Sequence, residues 1–275
     1  MRNADAITMS SSFLLALLLR AAVSAAVVVT ATVVAEASGP FWGGLIVALP
    51  IGAGPAYAML ALQHDAAFIA ASALGSFATN AATFVFLATV ALLAPRLRWG
   101  WALSGGLLAW AIAVALIRQF DWDARAAMLL NVVVVLICLA VTRSVGHDAG
   151  APRSGPIKRR WFELPARAAL VGLMVGSVVT LSRTLGPSLT GMAAVFPVAF
   201  TSFTFLVLPR VGGVVGAAIM VSAIRAMPGF ALSLLTLHLT AQPLGVPAAL
   251  VVALLPSLAW SALLMIERGR RLRMA

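Results

Sequence analysis

Arg225 sits in the run "AIMVSAIRAMPGF", a full cation within an apolar stretch, with Pro228 and Gly229 just after it. A charge at that depth costs several kcal/mol of desolvation, about 3 on insertion scales, so it marks a place that faces an ion, a polar ligand or a partner charge. Proline removes one helix hydrogen bond and frees a carbonyl, which predicts a bend or break at the same depth. A second zone, "GSFATNAA", offers Thr79 and Asn80 as uncharged donors and acceptors within another apolar run. A third group surrounds two prolines: Pro50, Gly52, Gly54 and Pro55 in "GLIVALPIGAGP", and Pro197, Ala199, Thr201 and Ser202 in "GMAAVFPVAFTS". Hydroxyls beside such a proline can satisfy the backbone groups it frees, and glycines let helices approach closely.

The acidic residues limit the chemistry. Glu36, Asp65, Asp121, Asp123, Asp148, Glu163 and Glu267 all fall at or beyond the ends of apolar runs. A cation site of buried carboxylates, or a proton relay of the common kind, therefore lacks its residues. An intramembrane arginine without a buried acid favours an anionic ligand: a small carboxylate, a phosphate or a lipid headgroup. His64, His147 and His238 are isolated, and there is no zinc-protease motif, phosphate-binding glycine loop or Ser/His/Asp arrangement. "FDWDAR" at 120–125 has Arg118 and Arg125 as ready partners for its acids and is read as a solvated loop. The expectation is no enzyme, no cofactor and no metal. Cys138, the single cysteine, excludes an intramolecular disulfide and reads as a small buried hydrophobe.

The elements that carry these residues follow from composition. Of 275 residues 62% are hydrophobic and 10% charged, and the mean hydropathy is +1.05, far outside the soluble range. Nine apolar stretches stand out, at 13–35, 41–62, 66–94, 99–117, 124–142, 163–182, 188–208, 211–239 and 244–266. Lipid offers no partner to backbone N–H and C=O groups, so these are predicted helices of an all-α polytopic membrane protein. The first stretch resembles a signal peptide, but Arg20 interrupts it and the apolar run continues past, so it reads as a retained span.

Lys and Arg set the orientation. Arg96, Arg98, Arg143, Arg153, Lys158, Arg159, Arg160, Arg167, Arg210, Arg268, Arg270, Arg271 and Arg273 follow an odd number of spans, against Arg2, Arg118, Arg125 and Arg183 on the other side. The rule that positive loops stay inside predicts a bacterial-type inner (plasma) membrane protein with its N-terminus outside and its C-terminus cytoplasmic. The formal charge of +11 then meets anionic headgroups at the cytoplasmic face rather than nucleic acid. Arg20 and Arg167 read as residues that snorkel to the headgroups.

The chain also repeats itself. A shift of 147 positions lays "RAA" at 20–22 on "RAA" at 167–169, Thr30 on Ser177, Gly39-Pro40 on Gly186-Pro187, Gly44 on Gly191 and Pro50 on Pro197. A slightly larger shift lays "LAW" at 108–110 on "LAW" at 258–260. The expected organisation is a first four-helix repeat over 1–118, a linking helix over 119–143, a basic linker over 144–162 and a second four-helix repeat over 163–275. One linking span inverts the second repeat, the architecture associated with alternating access.

Each half resembles the GlpM-like family of small bacterial inner-membrane proteins with about four spans. The resemblance rests on Gly44 to Pro50 and Trp110 in the first half, and on Gly191 to Pro197, Arg225 to Pro228 and Trp260 in the second. The first half departs from it with Ala78 where the second has Arg225. What the resemblance implies is a fold, since no activity comes with it.

The functional expectation is a secondary transporter or passive conduit for a small anionic or lipid-like solute. Its pathway would lie at the repeat interface, lined by Pro50, Gly54, Thr79, Asn80, Pro197, Thr201, Ser202 and Arg225. A structural or partner-binding membrane subunit is the alternative, and a homo-oligomer fits either.

Overall fold

The computed structural model describes residues 53–148 and 163–274, with Ala22 and Ala26 alone before them. Apart from Ala22 and Ala26 the first predicted span, Arg20 included, lies outside the described residues, as do Gly39-Pro40, Pro50 and Gly52 and the linker from 149 to 162. So do the side chains of His147 and Arg167. Every described element is a helix: α1 (Ala53–Leu60), α2 (Ala66–Leu93), α3 (Trp99–Ile117), α4 (Ala124–Val141), α5 (Arg143–Asp148), α6 (Glu163–Ala194), α7 (Val198–Leu206), α8 (Leu208–Val211), α9 (Gly213–Leu244), α10 (Val246–Val252) and α11 (Leu254–Met274). Among the described residues, six helical stretches are long and apolar enough to cross a membrane, consistent with an integral membrane protein.

Local chemistry explains where these helices start. Asp65 accepts a hydrogen bond from Phe68 N at 2.8 Å and so caps α2, and Asp123 does the same for α4 through Ala126 N at 2.7 Å. Each carboxylate answers backbone donors that have no partner within the helix and lies at the positive end of its dipole. Gly186 sits at φ 73°, where a side chain would be strained, and turns the chain sharply within α6. Pro187 follows, with its ring suited to the first turn of a new helix. Thr190 Oγ1 donates to the Gly186 carbonyl at 2.6 Å, covering an acceptor left open by the turn. The Gly-Pro dipeptide is thus a device that ends one helix and starts another.

Of the described spans, α2 is the most enclosed, with 78% of its apolar window buried, against 17% for α3 and for α4. It packs antiparallel along α9. A Cβ on Gly213 would collide with the Ala94 carbonyl at one end, and His238 Nδ1 lies 2.9 Å from the Ala70 carbonyl at the other. The second close crossing joins α2 to the segment after Gly186. There a Cβ on Gly191 would collide with the backbone of Ser72, and Ser76 Oγ donates to the Gly191 carbonyl at 2.6 Å. Outside this centre, α3 lies along α2 with Gly106 against Phe86 and Val90, and α11 lies along α9 with Gly229 against Trp260.

At Pro228 the helix does not break: α9 runs through both Pro228 and Pro243, and α2 runs through Thr79 and Asn80. The full interruption comes at Pro197. There α6 ends at Ala194, Val198 N turns back to the Phe196 carbonyl at 2.7 Å, and α7 begins with Thr201 N bonded to the Pro197 carbonyl at 2.8 Å.

Candidate functional site

A cavity of about 590 Å³ lies over the seam between α2 and α9. Phe77 and Phe84 of α2 form part of its wall, together with Met128, Asn131, Val132, Val135, Leu136 and Leu139 of α4. Arg225, Pro228, Ala231 and Leu232 of α9 and Trp260, Leu264 and Glu267 of α11 complete it. The lining is thus hydrocarbon with three polar groups, a guanidinium, an amide and a carboxylate, in the size range of sites for small molecules. It opens at the helix bundle's surface, since Val132 and Leu136 on its wall are 43% and 59% exposed.

Each polar group is held by a different element. The Trp260 indole donates through Nε1 to the Arg225 carbonyl at 2.8 Å. That carbonyl stands next to the one of Ile224, which the missing Pro228 N–H leaves without its helix donor. The indole therefore supports the stretch of α9 that carries Arg225. Asn131 donates to the carbonyls of Phe77 and Ala127 at 2.8 and 2.9 Å and accepts from Asn80 Nδ2 at 3.1 Å. It pins α4 to α2 in the cavity wall. Glu267 stands seven positions beyond Trp260 on α11, about 10 Å along a helix of 1.5 Å rise per residue.

The sequence-predicted residues divide into groups. Arg225 lines the cavity, and Asn80 reaches its wall through Asn131. Thr79 is fully buried in α2 with a hydroxyl that has no partner among the described residues. Pro197, Thr201 and Ser202 lie at the interruption before α7 instead. Ser202 Oγ donates to the Ala199 carbonyl at 2.8 Å, while the Thr201 hydroxyl has no partner among the described residues. Gly54 lines a separate space of about 40 Å³ with Tyr57, Phe230 and Ser233, among others. The wall of this cavity comes from the third, fifth, eighth and ninth predicted spans.

Asn131, Trp260 and Glu267 were not among the expected site residues. Asn131 had a legible signal, a lone amide within "LLNVVVV", where an unpaired polar group is costly. Trp260 had its place in the repeated "LAW", though nothing there told of its bond to Arg225.

Buried polar atoms without partners among the described residues also cluster along α2. Ser72, Thr79, Asn80 Oδ1 and Thr83 are joined by Trp110 Nε1 on α3. The Trp110 ring stands edge-on to Phe196 at 5.0 Å, beside the interruption at Pro197. Compared with known protein families, with curated proteins and with solved structures, the chain matches none of them.

Proposed function

We propose that this chain is a secondary transporter or passive conduit of a bacterial-type plasma membrane, carrying a small anionic or lipid-like solute through the cavity beside Arg225. The observation that carries this reading is a guanidinium in the wall of a mostly apolar space of about 590 Å³, which Asn131 and Glu267 also line. A cation that lines such a space is worth its desolvation when an anion meets it. The interruption at Pro197 adds support, because discontinuous helices accompany solute sites in transporters.

The proposed frame is a duplicated GlpM-like unit, inverted across the linking helix α4, with its N-terminus outside and its C-terminus cytoplasmic. The antiparallel pairing of α2 with α9 is what such an inversion requires, since these helices occupy the same place in the two repeats. Shifted by 147 positions, a contact between Ala70 and His238 maps onto one between Ala217 and Ala91, which keeps the same antiparallel pairing.

Purified protein in sealed liposomes loaded with radiolabelled carboxylates, phosphate or fluorescent lipid tests this reading. Arg225-dependent flux of an anion or lipid is the expected result. Flux equal to that of protein-free vesicles for every anion and lipid tried would leave the structural-subunit alternative. A reporter inserted at 143–163 is expected to read cytoplasmic, and an outside signal would reverse the proposed orientation.

A further inference from the structure

We infer that the occupant of the cavity is a single-chain amphiphile with an anionic head, taken sideways from the bilayer, its head on Arg225 and its chain along α4. This deepens the proposed function and rests on that reading of the cavity. Three observations lead to it.

First, the space has the chemistry of an amphiphile rather than of a hydrated ion. A small hydrated anion needs several polar groups to replace its water. Here Arg225, Asn131, Trp260 and Glu267 stand among phenylalanine, valine, leucine and methionine side chains. The Asn131 amide is already engaged with α2 and its own helix, the indole with the Arg225 carbonyl, and a carboxylate offers an anion no donor, so Arg225 alone is left to receive an anionic head. A hydrocarbon chain needs no such replacement.

Second, the dimensions suit one chain. The wall on α4 runs from Met128 to Leu139, about 16 Å at 1.5 Å per residue. That is close to half of a hydrocarbon core roughly 30 Å thick, the depth of one acyl layer. A lipid with two chains would have to leave one of them outside.

Third, the entrance is lateral. Val132 and Leu136 belong both to the cavity wall and to the exposed face of α4, where acyl chains surround a spanning helix. A ligand already dissolved in the bilayer can enter between α4 and α11 without crossing water. Arg225, itself exposed toward this space, then selects by charge: a guanidinium presents a fork of donors that fits a carboxylate or a phosphate with two bonds at once.

The test is equilibrium binding to the full chain in neutral-detergent micelles, read by quenching of tryptophan fluorescence. The probes are a brominated fatty acid, the brominated alcohol of equal length, a brominated lysophosphatidic acid and a brominated two-chain phosphatidic acid. Trp260 in the wall is the reporter, and Trp260→Phe identifies its share of the quenching. Both single-chain anions should bind at least tenfold more tightly than the alcohol. Arg225→Gln should remove that preference, a loss of about tenfold or 1.4 kcal/mol, and Arg225→Lys should retain part of it. Leu136→Trp, which fills the space, should weaken both the acid and the alcohol.

Tighter binding by the fatty acid than by the lysolipid assigns a free carboxylate as the source, and the reverse order assigns a phospholipid-derived head. Equal quenching by acid and alcohol, unchanged preference in Arg225→Gln, or tightest binding by the two-chain lipid would each overturn the inference. Anion flux in liposomes without amphiphile binding would also defeat it and leave the transport reading standing. Binding without any flux would do the opposite.

Discussion

The indole nitrogen of Trp260 and the carbonyl of Arg225 lie 2.8 Å apart, across the interface of α11 and α9. A shift of 150 positions lays Trp110 of α3 on Trp260, yet the Trp110 Nε1 is buried without a partner among the described residues. The two helices also differ near this point: Pro228 removes the helix donor of the Ile224 carbonyl, next to Arg225, while the position that the 147-residue shift lays on it is Ala81, which keeps its N–H. The two tryptophans therefore predict opposite responses. Trp260→Phe should lose about 1 kcal/mol of stability, the typical net worth of one hydrogen bond. Trp110→Phe should be neutral or stabilising, because it removes a buried donor with no acceptor. Unfolding of both variants in mixed micelles by a denaturing detergent measures the contrast, and an equal loss in the two would contradict it.

Asn131 is the amide on which α2 and α4 meet. Asn131→Leu removes its bonds to Asn80, Phe77 and Ala127 together, and should cost about 1–3 kcal/mol once the Asn80 amide is left buried and unpaired. A double-mutant cycle with Asn80→Ala should show a coupling of about 0.6–1.7 kcal/mol, the range of side-chain bonds between membrane helices. Additivity of the two substitutions would show that the amides act independently.

Gly191→Ala should be among the costly changes in the second half. A methyl group there meets the backbone of Ser72, which cannot rotate away, and overpacking of this kind typically costs about 1–3 kcal/mol. Gly100→Ala is the control, because nothing lies within 4 Å of the added carbon and alanine is the better helix former. Thermal stability of the two variants in one detergent compares them, and a milder effect at 191 than at 100 would contradict the crossing described here.

His64 predicts a dependence on pH. Its Nε2 lies 2.6 Å from Ser182 Oγ, and its ring stacks on Phe68 with centroids 3.7 Å apart. Burial, then the nearby charge of Arg183, hold its pKa below the ordinary 6.5, with Asp65 opposing them. The unfolded chain thus binds a proton on this residue more readily than the folded one. Stability from this group is complete above about 6.5 and falls as the pH drops from there toward the depressed folded value. The melting temperature should decrease between pH 7.5 and pH 5, and His64→Gln should flatten that part of the profile. An unchanged slope in the variant would assign the effect to other groups.

Several helix limits could be read in advance for identifiable reasons. Asp65 and Asp123 cap α2 and α4 where the apolar runs begin, and Pro95 with Arg96 follows soon after α2 ends. The positive φ values were unevenly visible: Gly186 falls in the gap between the stretches 163–182 and 188–208 and is followed by Pro187, while Gly245 separates α9 from α10 inside the stretch 244–266, where no charge marks it. The walls of the cavity were harder still. A helix that is apolar all round gives no periodic sign of which face meets protein and which meets lipid, so the place of α4 beside Arg225 could not be inferred from "LLNVVVVLICLAV". Arg225 itself was legible because a charge in such a run is rare on energetic grounds. Its support by Trp260, contributed from 35 positions away, was not.

The crossings at Gly191 and Gly213 meet through main-chain atoms of Ser72 and Ala94. Helices that interlock through ridges of side chains must ratchet past each other, and each step forces rotamers to change. Main chain against main chain offers no such teeth. At these two points the spacing is set by the backbone itself, and at the first the Ser76 hydroxyl on the Gly191 carbonyl holds the register that side-chain teeth would otherwise hold.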